Sequence, residues 1–219
     1  MKNDNYLVIM AGGIGSRFWP MSTTDMPKQF VDVLGCGKTL IQLTTDRFEG
    51  VVPPENVWVV TSERYASIVR EQLPSIPESN ILKEPCRRNT APCIAYVSWC
   101  IKARNPKANI VVSPSDHIVL DVREFQRVIK SALDFVSESD AMVTLGMKPT
   151  RPETGYGYID KKSFSVCIFG RILLRNLHVS STQALLRFGT RLQRKSLKKL
   201  PQATFSYAFC PLRVQVPFI

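Results

Sequence analysis

Hydrophobic and polar positions in residues 1–160 form two alternating kinds of segment. Short, continuous apolar runs, typical of strands buried on both faces, occupy residues 6–11, 56–60, 81–84, 109–112 and 142–145. Between them, apolar residues recur every three or four positions, as in helices that cover a core, at residues 39–48, 63–73, 89–104 and 121–136. This alternation predicts a mostly parallel sheet with helices on both faces, a Rossmann-like three-layer α/β core.

Sheets of this kind bind ligands in the loops beyond the carboxyl ends of their strands. The loop after the first predicted strand reads AGGIGSRFWPMS and continues to MPKQF. Its glycines, Gly12, Gly13 and Gly15, allow a close backbone approach and can aim N–H groups at anionic oxygens. Arg17 and Lys28 add two cations suited to a polyphosphate.

Two better-known phosphate motifs are excluded. A dinucleotide-binding G-x-G-x-x-G starting at Gly13 would need glycine where Phe18 stands. A Walker motif ending at Lys38-Thr39 would need glycine where Asp32 stands, so this segment is interpreted as a helix start.

Three further loops carry candidate chemistry, each with a plainer alternative. In SPSDH (113–117), Asp116 could hold Mg²⁺ or cap a helix, and His117 could be a base or a structural hydrogen-bonding group. EPCRRNTAP (84–92) could bind an anion or a base edge at a helix N-terminus, or only cap the helix. GYGY (155–158) suits a sugar, or a turn into a strand.

We expect the six cysteines to be reduced thiols. None forms a CxxC pair, and Cys86, Cys93 and Cys100 are spaced to align on one helical face, where small buried apolar side chains are favoured over a metal or thiol stripe. The buried face predicted for this helix includes its Cys, Ala, Ile and Trp residues. Because the N-terminus is polar, we expect no signal peptide, and no apolar run is long enough to span a membrane. We therefore expect a cytoplasmic protein without a membrane partner.

Charge divides the chain near residue 160. The net charge is +11, yet residues 1–160 contain all 18 acids and 18 bases, whereas the remaining 59 residues contain eleven bases and no acid. We therefore predict two regions, a neutral domain at 1–160 and an atypical basic tail at 161–219. A neutral domain makes nucleic acid a disfavoured partner, despite the basic balance of the whole chain.

Four motifs in order, the glycine loop with MPKQF, EPCRRNTAP, SPSDH and KPTRPETGYGYI, resemble those of the mannose-1-phosphate guanylyltransferases (GDP-mannose pyrophosphorylases) of the sugar-nucleotide transferase superfamily. The resemblance implies a nucleotidyltransferase that converts GTP and α-D-mannose 1-phosphate into GDP-mannose and diphosphate, with Mg²⁺ as cofactor. It also implies roles for particular residues. Gly12, Gly13 and Gly15 would bind the nucleotide, and Arg17 and Lys28 would neutralise the triphosphate. Asp116 would be the Mg²⁺ ligand. Asn89, Thr90 and Ala91 would line the guanine pocket, and Gly155 and Tyr156 would begin the sugar site.

The resemblance covers only the N-terminal part of the family pattern. The family's Glu-Lys-Pro motif, Asn-Ser-Gly segment and further metal-binding Asp do not occur in residues 161–219. We therefore expect an incomplete core with impaired activity, followed by a poorly ordered tail.

A frameshift is the favoured origin of this tail, ahead of a basic extension that binds nucleic acid or membrane and of a separate C-terminal domain. The alternatives to an enzyme are a non-catalytic nucleotide-binding regulator and a basic nucleic-acid-binding protein. The sequence leaves open whether the chain forms a homo-oligomer.

Overall fold

Four parallel strands form one sheet in the part of the chain that the computed structural model describes, residues 4–15, 18–84, 90–139 and 142–146. The strands are β1 (Asn5–Met10), β2 (Val57–Thr61), β3 (Ile81–Lys83) and β4 (Asn109–Pro114), in the spatial order β3-β2-β1-β4. The helices are α1 (Leu40–Asp46), α2 (Ala66–Gln72), α3 (Thr90–Arg104) and α4 (Val122–Ser137), with 3₁₀ turns at Lys28–Phe30, Pro54–Asn56, Glu63–Tyr65 and Glu78–Asn80. The predicted α/β class and parallel sheet are confirmed.

The strands β1 and β2 lie at the centre of the sheet, which explains their continuous apolar sequences. Leu7 pairs with Val57 and Val8 with Trp58, and every residue of β2 is buried. A strand covered on both faces needs apolar side chains at successive positions rather than at alternate ones.

The crossovers place helices on both sides of the sheet. The chain moves one way from β1 through β2 to β3, then returns past β1 to β4. Because right-handed crossovers put a helix on the face set by the direction of travel, α1 and α2 lie on one face and α3 on the other. The helix α4 joins the α1 side, where the Phe125 ring meets Phe48 edge-on with centroids 5.2 Å apart. This arrangement is the predicted three-layer core.

The helix α3 packs through a narrow stripe and is apolar beyond it. Its buried residues Cys93, Val97 and Ile101 recur every four positions and contact a patch on β1 and β2, made of Tyr6, Val8, Trp58 and Val60. Trp99, predicted on the buried face, is instead 54% exposed. Two residues correspond to about 200° around a helix, so Trp99 points away from the stripe that Val97 and Ile101 define.

Two elements differ from the predicted pattern. The helix expected over 63–73 begins as a 3₁₀ turn before α2. The strand expected over 142–145 is wrong for most of its length, since only Leu145 takes a bridge. A strand needs a partner along several successive residues, which apolar side chains alone do not guarantee.

The chain divides into two compact units after Leu133. The sheet and the helices α1 to α3 belong to the first unit, and the described residues of the second are 134–139 and 142–146. The boundary predicted at residue 160 lies outside the described residues and stays a prediction. Within the described ranges, none of the helices combines the length and apolarity needed to cross a membrane.

The cysteines on and near the first unit's core are thiols in different surroundings. Cys93 is buried and Cys36 is exposed. Burial, assisted by the negative charge of Glu84, raises the pKa of the Cys93 thiol to about 11. Because the thiolate is the nucleophile, a raised pKa makes a thiol unreactive, as expected for an apolar packing residue.

Alkylation kinetics should therefore separate these two thiols. At pH 8 a group with this pKa is ionised about once in a thousand molecules. We expect iodoacetamide to modify Cys36 in the native protein and to leave Cys93 unmodified until urea unfolds the chain, as followed by mass spectrometry of the cysteine peptides. Equal rates at both positions in the native protein would contradict the packing described for α3.

Candidate functional site

The loops after β1 and β4 begin at the place where the order of the sheet reverses. The strand β1 has β2 on one side and β4 on the other, and the chain leaves β1 toward β2 but reaches β4 last. Adjacent loops at such a point diverge and leave a crevice at the carboxyl edge of the sheet, where open α/β sheets bind ligands. The predicted residues Gly12, Gly13, Gly15 and Lys28 follow β1, and Asp116 follows β4.

Side chains fix the glycine loop through its carbonyl groups. The buried Gln29 amide donates to the carbonyl oxygens of Ala11 at 3.2 Å and Gly13 at 2.8 Å. The Thr61 hydroxyl donates to Ala11 at 3.0 Å, and the Ser22 hydroxyl donates to Gly15 at 2.6 Å. The N–H groups of Gly12, Gly13 and Gly15 donate no hydrogen bond to any described residue. The loop therefore has donors available for an anion.

Gly15 is required by both conformation and space. Its φ of +59° belongs to the left-handed region, and a Cβ there would lie 3.2 Å from the backbone N and the Cβ of Lys28. Gly13, by contrast, has nothing within 4 Å of an added Cβ. The close approach at Gly15 packs the glycine loop against Lys28, the lysine of the candidate site.

Lys28 and Asp116 face each other across the crevice. The Lys28 Nζ lies 3.9 Å from Asp116 Oδ2, and it also lies 4.0 Å from the centroid of the Phe18 ring. This N···O distance exceeds that of a hydrogen bond, so the two charges attract each other without closing on one another. The Lys28 side chain is 17% exposed and that of Asp116 is 43% exposed. A cation and a carboxylate at this separation can meet a phosphate and a divalent cation respectively.

The imidazole of His117 also lies near Asp116, with its Nε2 3.6 Å from Asp116 Oδ1. Burial lowers the pKa of His117, and the positive charges of Arg47 and Lys28 lower it further, while Asp116 opposes the shift. The imidazole is therefore neutral at pH 7, and the net charge of this edge is set by the lysine, the arginine and the carboxylates.

Arg47, like Gln29, is a residue of the candidate site to which sequence reasoning assigned no role. It follows α1 directly and is 5% exposed, and its guanidinium donates to the His117 carbonyl at 2.9 Å and to the Thr44 hydroxyl at 3.0 Å. Burial lowers its pKa to about 10, which leaves it charged at neutral pH. The available signal was its spacing from Leu40 and Thr44, which puts a charged residue on the buried stripe of the helix.

The remaining predicted residues fall into two groups. Thr90 and Ala91 are exposed in the first turn of α3, which begins after β3 at the same edge of the sheet. Nearby, Glu84 Oε2 lies 3.8 Å from where a Cβ on Gly12 would be. The other four predicted site residues lie outside the described residues: Arg17, Asn89, Gly155 and Tyr156.

The donor set at the crevice suits a hard cation held partly by substrate. No group of three or more His, Cys, Asp or Glu side chains with metal-binding geometry occurs in the described ranges. Mg²⁺ does not need such a cage, since it is commonly held by one or two carboxylates together with phosphate oxygens and water. Asp116, partly exposed at the crevice, fits that pattern.

A doubly wound α/β protein with a glycine-rich loop and a lysine–carboxylate pair at the point where the strand order reverses is the class that these features define. The chain belongs to the nucleotidyl transferase family, whose model matches residues 6–169. The mannose-1-phosphate guanylyltransferase of Escherichia coli is 40% identical over 158 residues, which are 70% of this chain and 33% of that protein. The alginate biosynthesis protein AlgA of Pseudomonas aeruginosa is 39% identical over 156 residues, 69% of this chain and 31% of that protein.

A solved structure supports the same assignment. The crystal structure of mannose-1-phosphate geranyltransferase from Thermus thermophilus has a TM-score of 0.63 at 35% identity and covers 71% of this chain and 45% of that one. Mannose-6-phosphate isomerase from Helicobacter pylori, at 23% identity and a TM-score of 0.56, shares the fold. The resemblance found in the four motifs is confirmed over the N-terminal part of the chain. This chain spans about a third of the length of the curated relatives it matches.

The two glycines of the loop give a matched pair of substitutions. Gly15→Ala forces a side chain into the left-handed region and against Lys28, and should reduce the free energy of unfolding by about 1–3 kcal/mol. Gly13→Ala places a methyl group in open space and should change stability by less than about 1 kcal/mol, in the stabilising direction. Urea unfolding followed by circular dichroism measures both, and equal destabilisation by the two variants would refute the role given to Gly15.

Proposed function

We propose that this chain binds GTP and α-D-mannose 1-phosphate and transfers the guanylyl group to give GDP-mannose and diphosphate. The observation that carries the proposal is the pairing of Lys28 with Asp116 at the switch point, beside a glycine loop whose carbonyls are tied back. Similarity to mannose-1-phosphate guanylyltransferases over about 70% of the chain supports the choice of substrates.

In the proposed reaction a phosphate oxygen of mannose 1-phosphate attacks the α-phosphorus of GTP. A new P–O bond forms there, the bond between the α-phosphorus and the α–β bridging oxygen breaks, and diphosphate leaves with that electron pair. The attacking oxygen is already ionised at neutral pH, so no general base is required. Catalysis then consists of positioning the two phosphates and stabilising the charge that moves to the leaving group.

The described residues divide this work among them. The N–H groups of Gly12, Gly13 and Gly15 would bind phosphate oxygens. Lys28 would neutralise the triphosphate, and the ring of Phe18 beneath its ammonium would restrict where that charge sits. The exposed first turn of α3, with Thr90 and Ala91, would meet the guanine.

Asp116 would hold Mg²⁺ together with phosphate oxygens of the nucleotide. The metal supplies charge neutralisation at the phosphates when bound. Asp116 suits this role because its carboxylate is partly exposed and its lysine partner lies too far away for a hydrogen bond. Of the other proposed contributors, Arg17 would add a second cation at the triphosphate, Asn89 would join the guanine pocket, and Gly155 and Tyr156 would begin the sugar site.

We propose the cytoplasm as the compartment, supported by the free thiols of Cys36, Cys93 and Cys100.

Substitutions at the two facing charges test the proposal. Lys28→Met removes a charge-assisted contact and should weaken GTP binding about tenfold or more. Asp116→Asn should abolish the gain in GTP affinity that Mg²⁺ produces, and with it diphosphate release. Lys38→Met is the matched control, because Lys38 is 56% exposed and pairs with Asp46 at 2.7 Å rather than with Asp116.

Binding by calorimetry and diphosphate release by a coupled assay should be measured side by side. GTP binding with weak turnover is our expectation for this chain, and GTP binding with no turnover would favour the alternative, a non-catalytic nucleotide-binding protein. Absence of GTP binding, or equal loss in Lys28→Met and Lys38→Met, would overturn the assignment.

A further inference from the structure

Arg47 is a cation buried without a carboxylate in direct contact. It is 5% exposed, and among the described residues no Asp or Glu oxygen lies within 4.0 Å of its guanidinium. Its Nε is buried and has no hydrogen-bond partner in that part of the chain. Burying an unpaired charge is costly, so such a residue needs compensation from polar groups or from function.

Most of the compensation comes from one short segment, residues 113–117 at the end of β4 and the start of the loop that carries Asp116. The guanidinium donates to the His117 carbonyl at 2.9 Å, to the Ser113 hydroxyl at 3.3 Å and to the Pro114 carbonyl at 3.4 Å. These acceptors lie on both sides of Asp116 in the chain. The guanidinium therefore fixes the path of the backbone before and after that carboxylate.

Two helices hold the guanidinium in place. The guanidinium donates at 3.0 Å to the hydroxyl of Thr44, which lies one turn earlier on α1. The central carbon of the guanidinium lies 5.4 Å from the centroid of the Phe125 ring of α4. The Gln126 amide donates to the Arg47 carbonyl at 3.2 Å. A planar group with several fixed donors can bridge three elements in this way, whereas the point charge of a lysine cannot.

We propose that Arg47 is a positioning residue that holds Asp116 in the orientation needed to take Mg²⁺ with the nucleotide. This inference rests on the proposed function and adds to it a residue that touches neither metal nor nucleotide. The positive charge of Arg47 also attracts the Asp116 carboxylate, an interaction that partly offsets the cost of burying the guanidinium. Residues that orient a metal ligand in this way control metal affinity more than they control binding of the remaining ligand.

The test uses the full chain and separates metal-dependent from metal-independent binding. GTP affinity is measured with Mg²⁺ and with EDTA for the wild type and for Arg47→Lys and Arg47→Met, and Mn²⁺ bound in the presence of GTP is measured by water-proton relaxation. In both variants the affinity for Mn²⁺ should fall about tenfold or more, while GTP affinity in EDTA stays within about twofold of the wild type. Arg47→Lys retains the charge and serves as the variant that folds if Arg47→Met does not.

Arg104→Lys is the matched control. Arg104 likewise lies over an aromatic ring, 4.4 Å from the Trp58 centroid, and donates to Asn80 at 2.7 Å, but it lies at the end of α3, near the start of β3. The Arg104→Lys substitution should leave the affinity for Mn²⁺ unchanged. Parallel loss of GTP affinity with and without metal in the Arg47 variants, in step with their melting temperatures, would mean a purely structural role and would overturn the inference. Unchanged Mn²⁺ affinity in folded Arg47→Lys would also overturn it. If the wild-type chain binds GTP with the same affinity with and without metal, the inference about Arg47 is wrong, although GTP binding itself is confirmed.

Discussion

Parallel pairing of β1 with strands on both of its sides is the constraint on which the rest of the first unit depends. The register joins Leu7 to Val57 on one side and to Val111 on the other, so β1 has no free edge along this stretch. Both faces of β1 must then be covered, which requires helices above and below the sheet. The same pairing starts the loops after β1 and β4 beside one another, and this is what brings a lysine and an aspartate together although they are far apart in the chain.

Long-range order and local pattern were not equally readable from the sequence. The apolar runs and helical periodicities predicted eight of the nine elements to within a few residues, and burial on two faces leaves a particularly strong pattern in β1 and β2. The strand expected near Leu145 was the exception, because its pairing depends on a partner rather than on its own composition. Trp99 was misplaced for a related reason, since an apolar helix does not reveal which of its sides meets the sheet.

Candidate residues could be named from the sequence where they stood in a motif, and not where only the fold brings groups together. Lys28, Asp116 and the glycines stand in motifs whose residue types suit phosphate and cation chemistry, and the structure places Lys28 beside Asp116 and Gly15. Arg47 and Gln29 could not be assigned roles, because they act on backbone groups that only the fold brings within reach. Backbone carbonyls are available at every position, so a side chain that binds them leaves no complementary residue elsewhere in the sequence to be recognised.

The tie between the Gln29 amide and the glycine loop has a consequence for how this loop can vary. Its shape depends on a side chain sixteen residues away from Gly13 as well as on its own glycines, so the loop's composition alone does not determine that shape. An amide is the suitable group, since a carboxylate at the same place would repel both carbonyl oxygens it approaches. Transferring the glycines alone into another protein would therefore transfer their backbone flexibility without the two hydrogen bonds from Gln29 that hold the loop in this conformation.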